Sequence, residues 1–210
     1  MARTVICISG SDGAGGDEVA RFVANRLGLL YVAEDIISDA ARRAGVGPET
    51  VADVEQRKSL VRRVLDELGE TGAAGMALGG IPPPTPAEPP PPRSDELRLF
   101  IREAIEAAAA TGSVVISAHA ASFALAGREA ILRVLVTASA ETRARRIALQ
   151  RGIDEPDAKR EIRAGDAERA DYLKRFYGVR TELPTHYDLV INTDVLSHED
   201  AARVVAQATA

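Results

Sequence analysis

Residues 4–24 constrain the fold more than any other stretch, because an apolar run there turns through four glycines into an amphipathic helix. The run from Val5 to Ile8 is typical of a buried strand. Glycines let the backbone reverse sharply and approach an anion closely. A strand, a glycine-rich turn and a helix in this order predict a loop whose backbone N–H groups bind phosphate at the positive end of the helix dipole.

The glycine spacing matches the phosphate-loop pattern G-x-x-x-x-G-K-[ST], with two substitutions. Gly10 and Gly15 fit, whereas Gly16 replaces the lysine and Asp17 replaces the Ser or Thr that binds magnesium. The loop geometry can tolerate both changes, but the lysine charge must then come from elsewhere. The alternative is a glycine-rich turn that binds no ligand. The motif alone does not decide between a phosphate-binding loop and such a turn. The candidate phosphate-binding residues are Ser11, Asp12, Gly13, Ala14, Gly15, Gly16, Asp17 and Glu18.

Composition limits the function classes. The 210 residues are enough for a full hydrophobic core, and the net charge of −5 argues against a nucleic-acid partner. Because Cys7 is the single cysteine, no internal disulfide can form, and we expect a cytoplasmic protein. The sequence has no signal-peptide pattern and no apolar run of about 18 residues, so we expect no membrane segment.

Apolar runs alternate with helical patterns along the whole chain. The runs at 5–8, 29–33, 113–117, 132–137 and 187–193 lack the alternation of a half-exposed strand. Strands of this kind are buried on both faces, as in a parallel sheet covered by helices. The sequence therefore predicts an α/β fold with a five-stranded parallel sheet.

Two polar residues follow strands at the carboxyl edge of the predicted sheet, where ligands bind in open α/β folds. Asp35 follows the second strand, and it could orient an acceptor or, through water, a metal. His119 follows the third strand and is a candidate substrate-binding residue. The alternatives are an acidic cluster with Glu34 at a helix start, and a structural histidine.

Proline is concentrated in one segment, residues 72–93. Eight of the eleven prolines lie between Pro82 and Pro92. Proline cannot continue a helix or a central strand, so we expect an exposed loop after a long helix at 49–70. The segment has two interpretations, a tolerated surface insertion and a docking segment for a partner.

The region after the fourth predicted strand is rich in arginine. Arg163, Asp166 and Arg169 recur at intervals of three, which predicts one helical face on which the carboxylate orients both guanidiniums. The alternative is a set of solvated ion pairs with neighbouring acidic residues. For Arg145 and Arg151 we prefer that alternative.

The chain resembles the cytidylate kinase-like proteins, a branch of the nucleoside monophosphate kinases. ISGSDGAGGDEVA is similar to the glycine-rich opening of that branch, I-S-R-x-x-G-S-G-G-R-x-I-A, which also lacks the loop lysine. LGLLYVAEDII and SVVISAHAASFAL resemble its second-strand and third-strand signatures. LRVLVTASAETRARRIALQRGIDEPDAKREIRAGDAERADYLKRFYG resembles the strand, helix and arginine-rich lid that follow, and HYDLVINTDVLSHEDAARVV resembles the C-terminal strand and helix.

The resemblance implies a three-layer phosphate-loop fold and transfer of a phosphoryl group from ATP, with Mg²⁺, to a small acceptor such as a nucleoside monophosphate. It implies a single domain made of a core at 1–34, 94–153 and 178–210, a helical acceptor-binding insertion at 35–93 with its Pro-rich loop at 79–93, and a lid at 154–177. The residues that match the lid region are Arg143, Arg146, Arg163, Asp166 and Arg169, and the resemblance implies that the four arginines neutralise the transferring group.

Four positions depart from the family pattern. Gly10 and Asp17 replace arginines beside the loop, Ala33 replaces the substrate aspartate, and Ala118 replaces the third-strand arginine. Phosphoryl transfer depends on neutralising charge, so the loss of cations leaves three hypotheses. They are a kinase, a catalytically impaired sensor of a nucleotide or another phosphorylated ligand, and a scaffold that docks a partner through the Pro-rich loop.

Overall fold

The computed structural model describes residues 5–33, 35–45, 47, 94–117, 120–128 and 130–209, and all structural statements below concern these residues. The strands are β1 Val5–Gly10, β2 Leu30–Val32, β3 Val114–Ser117, β4 Ile131–Thr137 and β5 Leu189–Asn192. The helices are α1 Gly16–Leu27, α2 Asp35–Ala44, α3 Ser94–Ala110, α4 Ala121–Ala124, α5 Ala140–Arg151, α6 Glu155–Tyr177 and α7 His198–Gln207.

The five strands form one sheet in the order β2-β3-β1-β4-β5, and every neighbouring pair is parallel. Val5 of the central strand pairs with Val114 on one side and Ile131 on the other. The predicted five-stranded parallel sheet is therefore confirmed. Because parallel strands end at the same edge, the loops that follow β1, β3 and β4 meet there.

Helices cover both faces of the sheet. Cys7 and Ile116 point to the face that packs against α2 and α3, whereas Ile6 and Val134 point to the face that packs against α1 and α7. Successive residues of a strand alternate between faces, so the fully buried runs of β1 and β3 serve both cores. Burial raises the pKa of Cys7 to about 12, so this thiol is an inert core residue.

Side-chain caps fix where the last three helices begin. Ser139 accepts a hydrogen bond from the Thr142 amide (3.2 Å), which starts α5. Asp154 accepts from the Asp157 amide (2.8 Å) at α6. Ser197 accepts from the Asp200 amide (3.1 Å), which starts α7.

Helices α5 and α6 pack against each other through a small apolar cluster. Ala144 and Ile147 of α5 contact Ala158 and Ile162 of α6. This cluster fixes the first half of α6, which corresponds to the predicted lid, beside the carboxyl edge of the sheet. The lid role stays a prediction.

The sequence missed two short elements, α4 and a single 3₁₀ turn at Pro184–His186, which are too short to give a periodic signal. Strands β2 and β5 lie at the two sheet edges and are only partly buried, so the expectation of burial on both faces is wrong for both. The predicted helix at 49–70 and the Pro-rich loop lie outside the described residues.

Candidate functional site: a glycine cradle at the start of the first helix

The loop between β1 and α1 has the backbone of a tight anion-binding turn. Gly13 and Gly15 adopt left-handed conformations, with φ of 77° and 85°. The Ala14 amide donates to the Ser11 carbonyl oxygen (2.9 Å), which closes the turn. Gly15 directly precedes α1 and caps it without a side chain.

Two of the glycines are also required by close packing. A Cβ on Gly13 would lie 2.8 Å from the Arg143 carbonyl oxygen, and a Cβ on Gly15 would lie 2.2 Å from His198 Nε2. Both distances are shorter than any real Cβ contact. The loop is therefore held between the first turns of α5 and α7.

The first amides of α1 have no carbonyl acceptor within the helix, as at every helix start. They face a cavity together with the positive end of the helix dipole. Ser11 is half-buried there, and three acidic residues of the loop and first turn are exposed. These are Asp12, Asp17 and Glu18, and all of them line the cavity.

The Arg143 side chain of α5 supports the glycine loop through hydrogen bonds. Its side chain is 8% exposed, and Nε donates to the Asp12 carbonyl oxygen (2.7 Å). Its two terminal nitrogens donate to the carboxylate of Asp166 on α6 (2.9 and 2.7 Å). All the hydrogen bonds found for this guanidinium therefore go to the protein, and Arg143 positions the loop rather than facing the cavity.

Arg146 lies one turn further along α5 and does line the cavity. One terminal nitrogen donates to the Gly13 carbonyl oxygen (3.1 Å) and to Thr193 Oγ1 (3.0 Å), and the other donates to the Thr193 carbonyl oxygen (2.6 Å). In the described part of the chain no carboxylate pairs with it. Arg146 thus brings to the cavity a positive charge that is held by carbonyl and hydroxyl oxygens rather than by a carboxylate.

Arg169 is held by residues that follow α6. Its Nε and a terminal nitrogen donate to the two carboxylate oxygens of Glu182 (2.9 and 2.7 Å), and the Tyr187 hydroxyl donates to the same carboxylate. Burial alone would raise the pKa of Glu182, but the bonds from Arg169 and Tyr187 hold that pKa below its ordinary value. Arg169 therefore stays charged, in the wall of the cavity.

The predicted sharing of Asp166 by Arg163 and Arg169 is wrong. Asp166 pairs with Arg143, and Arg169 pairs with Glu182. Arg163 is exposed and takes part in no ion pair among the residues that the structure describes. A buried guanidinium must form its hydrogen bonds within the protein, so Arg143 pairs with Asp166. The guanidinium of the exposed Arg163 can be solvated by water instead.

Asp17 forms a contact that the sequence did not indicate. Ser117, buried at the end of β3, donates its hydroxyl to Asp17 Oδ1 (2.6 Å). Burial raises the pKa of the neighbouring Tyr31, and the negative charge of Asp17 adds to that rise. Arg21, one turn along α1, stacks over the Tyr31 ring at 4.8 Å from its centre.

His198 is the second residue that sequence reasoning missed. Its Nε2 is buried and has no hydrogen-bond partner in the described part of the chain. Burial lowers the pKa of His198, and the positive charge of Arg146 acts in the same direction. The imidazole is therefore favoured in its neutral form against the loop.

These groups surround a cavity of about 390 Å³ at the carboxyl edge of the sheet. Its wall is formed by residues of the glycine loop, by the first turns of α1 and by side chains of α5 and α6. Beyond the loop itself, its charged and polar lining includes Arg21, Tyr31, Ser117, Arg146, Gln150, Arg151, Arg169 and His198. Among the described residues, no group of three or more His, Cys, Asp or Glu side chains could hold a metal ion without further ligands.

Three further residues named in the sequence analysis have different outcomes. Asp35 is exposed at the first position of α2, and His119 lies outside the described residues. Arg151 lines the cavity but forms an ion pair with Glu161, as the solvated alternative predicted. In the described ranges no helix is both long and apolar enough to pass through a lipid bilayer.

Similar proteins support both the family and the fold of this chain. Residues 5–195 match the model of the "Cytidylate kinase-like family". A cytidylate kinase of Ignicoccus hospitalis is 29% identical over 96% of both chains. A solved structure of an uncharacterised protein from Eubacterium ventriosum superposes with a TM-score of 0.66 at 15% identity, covering 98% of this chain and 97% of the other. Shikimate kinase from Bacteroides thetaiotaomicron superposes with a TM-score of 0.50 at 14% identity, covering 98% and 97%.

Proposed function

The chain belongs to the cytidylate kinase-like family, and we propose that it transfers the terminal phosphoryl group of ATP to a small acceptor of the nucleoside monophosphate class. The observation that carries this proposal is the pairing of the glycine cradle with Arg146 in one cavity. Backbone amides and a fixed cation are the two elements that hold a polyphosphate in such sites.

The cradle would bind the phosphates next to the transferred group. Amides at the start of α1 donate to phosphate oxygens, and the helix dipole adds a favourable field. Arg146 supplies the charge that Gly16 cannot. Because its carbonyl partners at Gly13 and Thr193 already fix the guanidinium, little conformational entropy is lost on binding.

The other arginines divide into two roles. Arg169 lines the cavity and would approach the transferring phosphoryl group, whereas Arg143 acts through the Asp12 carbonyl and positions the loop. Asp166 holds Arg143 and is likewise a positioning residue. Arg163 is exposed, and only a change in the position of α6 would bring it to the phosphates.

The donors present fit Mg²⁺, which binds hard oxygen ligands and is usually held by one or two carboxylates together with substrate phosphates. Asp17 supplies a carboxylate at the position of the usual hydroxyl ligand, and Ser117 supplies a hydroxyl beside it. Bound Mg²⁺ would neutralise charge on the phosphate oxygens. Asp17 and Ser117 would hold it, and the amides of the cradle would orient the phosphates.

The choice of acceptor rests on the family. The relative from Ignicoccus hospitalis carries the name cytidylate kinase, so cytidine monophosphate is the first acceptor to test. Asp35 and the predicted insertion at 35–93 would bind it. No covalent intermediate is required, because positioning and charge neutralisation account for this chemistry.

A coupled assay with ATP, Mg²⁺ and a panel of acceptors tests the proposal. The panel should contain CMP, dCMP, UMP, AMP and shikimate, with product identified by chromatography. We expect turnover with a pyrimidine monophosphate, and a loss of at least tenfold in kcat/KM for Arg169→Met. Folded protein that turns over none of these acceptors contradicts the assignment.

A catalytically impaired sensor is the second candidate. The observation that favours it is the acidic character of the cradle, where Asp12, Asp17 and Glu18 all line the cavity. A ligand that binds only the folded state raises the unfolding temperature. Stabilisation by ATP or CMP, combined with no product in the coupled assay, would favour sensing over catalysis.

A further inference from the structure

We propose that Arg21, held on the ring of Tyr31, binds the phosphate group of the acceptor and so makes the site select an acceptor that already carries a phosphate. The inference rests on the proposed function and deepens it. It assigns acceptor selection to a side chain of the first helix, and it places acceptor and donor at opposite sides of the cavity.

The sheet order divides the cavity into two sides. Strands β2 and β3 lie on one side of β1, and strands β4 and β5 lie on the other. Tyr31 of β2 and Ser117 of β3 line what we call the β2 side, whereas Arg146 of α5 and His198 of α7 line the β4 side. The predicted acceptor-binding insertion begins at residue 35, just beyond β2. An acceptor held by that insertion would therefore lie at the β2 side.

Arg21 brings a cation to the β2 side. It lies on α1 and lines the cavity, and its guanidinium carbon stacks over the Tyr31 ring at 4.8 Å from the ring centre. Stacking holds the plane of the guanidinium, while the N–H groups at its edge can still donate hydrogen bonds. The side chain is exposed, so a ligand in the cavity can reach it.

The charge of Arg21 is not used by a neighbouring carboxylate. Asp17 and Glu18 lie four and three residues earlier on α1, which are the spacings at which acidic and basic side chains can pair. In the part of the chain that the structure describes, neither forms an ion pair with Arg21. The Ser117 hydroxyl donates to Asp17 Oδ1 (2.6 Å) and so holds this carboxylate towards β3. The guanidinium is therefore available to an anionic ligand.

A phosphomonoester suits this arrangement better than a neutral acceptor does. Its oxygens can accept two parallel hydrogen bonds from one guanidinium, and its double negative charge is attracted by the unpaired cation. Asp17 lies at the same side, so an anion gains free energy there only if it contacts Arg21 directly. Contact with Arg21 would thus decide whether an acceptor is retained.

Calorimetric titration of the full chain with CMP, dCMP, UMP and AMP, each without ATP, is the principal test. For Arg21→Met we expect about a tenfold or greater loss of affinity for every monophosphate that the wild type binds. The factor should not depend on the base, because Arg21 contacts the phosphate. Arg21→Lys keeps the charge but loses the paired donors, so its affinity should be intermediate.

Two controls accompany this titration. Arg26→Met removes an exposed arginine that is on the same helix but not in the cavity wall, and it should bind the monophosphates like the wild type. ATP titrated alone should bind Arg21→Met within about twofold of its wild-type affinity, because its phosphates lie at the β4 side. Thermal unfolding should show that Arg21→Met is folded, since the side chain that it removes is exposed.

Tyr31 is a positioning residue, and its variants test the stacking. Tyr31→Phe keeps the ring and should bind the monophosphates like the wild type. Tyr31→Leu loses the ring and should weaken their binding about two- to fivefold. In the coupled assay, Arg21→Met should raise KM for the acceptor about tenfold while KM for ATP stays within about twofold.

The outcomes separate the inference from the proposed function. Unchanged monophosphate affinity in Arg21→Met, or an equal loss of ATP affinity, overturns the inference and leaves the kinase assignment intact. A wild-type protein that binds and phosphorylates none of the four monophosphates overturns both.

Discussion

Arg143 and Asp166 join α5 to α6 through two parallel hydrogen bonds of 2.9 and 2.7 Å. The same guanidinium donates to the Asp12 carbonyl oxygen, so one side chain connects the glycine loop to the helix of the predicted lid. Bidentate arginine–carboxylate pairs are strong and directional. The pair therefore couples the shape of the loop to the position of α6.

Breaking this pair should destabilise the protein. Arg143→Met should lower the free energy of unfolding by about 2–3 kcal/mol, because it removes three hydrogen bonds and leaves Asp166 without its partner. Asp166→Asn should cost about 1 kcal/mol, since its side chain is partly exposed. A double-mutant cycle by urea denaturation should give a coupling of about 1 kcal/mol, because Asp166→Asn should cost little once Arg143 is absent. Glu168→Gln on the same helix is the control, and a coupling near zero would contradict the role given to the pair.

Replacing Arg146 should weaken anion binding more than it weakens the fold. Arg146→Met should reduce affinity for pyrophosphate about tenfold or more, because no carboxylate compensates the charge that is lost. Arg146→Lys keeps the charge but cannot reach both Gly13 and Thr193, so its affinity should be intermediate. Titration calorimetry measures both variants. Arg145→Met, an exposed neighbour on the same helix, should bind pyrophosphate like the wild type.

A methyl group on Gly15 should be costly for two separable reasons. Gly15→Ala places a side chain at φ 85°, which costs about 1–2 kcal/mol, and it drives Cβ into His198. Gly152 also has a positive φ, but a Cβ there would have no atom within 4 Å. Gly152→Ala should therefore show only the cost of the left-handed backbone conformation. Adding His198→Ala to Gly15→Ala should recover part of the difference in thermal unfolding. Additive effects of the two substitutions would argue against the contact.

The pH dependence of stability should report on His198. Its pKa in the folded protein is lowered by burial and by Arg146, so the unfolded chain takes up the proton first as the pH falls. The folded state should therefore lose stability as the pH falls through the ordinary value of 6.5 towards the lowered one. His198→Asn should remove this part of the pH profile. Proton NMR should show one of the three histidines titrating below 6.5, and a normal titration of that signal would contradict the lowered pKa.

Local patterns predicted the cradle and the sheet well, for a physical reason. The glycine spacing fixes backbone conformations at Gly13 and Gly15, and the apolar runs fix which segments are buried. Both properties are encoded within a few residues. The family resemblance then supplied the three-layer phosphate-loop fold, and the observed parallel five-stranded sheet agrees with it.

The ion-pair partner of each arginine was harder to predict than the helix on which the arginine lies. The three-residue spacing correctly placed Asp166 on a helix between two arginines, but it could not show that Arg143 on another helix is buried and competes for it. Glu182 lies in a loop that has no periodicity, so its pair with Arg169 left no local signal. Spacing along one helix reports neighbours on that helix only.

The two missed cavity residues come from distant parts of the chain. Ser117 lies a hundred positions from Asp17, and His198 is far beyond the loop that it contacts. A small polar residue at the end of a buried strand was the available clue for Ser117, since carboxyl ends of parallel strands face the ligand side. His198 directly follows the Ser197 N-cap, and nothing in the local sequence distinguishes it from an ordinary first residue of a helix.

Helix α6 comes very close to the loop at one point. A Cβ on Gly165 would lie 3.1 Å from Asp12 Oδ2, so a methyl group there would require the Asp12 side chain to shift by a few tenths of an ångström. Glycine also makes that turn of the helix the easiest to deform. The close contact is therefore between α6 and the carboxylate of Asp12, which lines the cavity. A bulkier residue at position 165 would displace that carboxylate and so change the shape of the cavity wall.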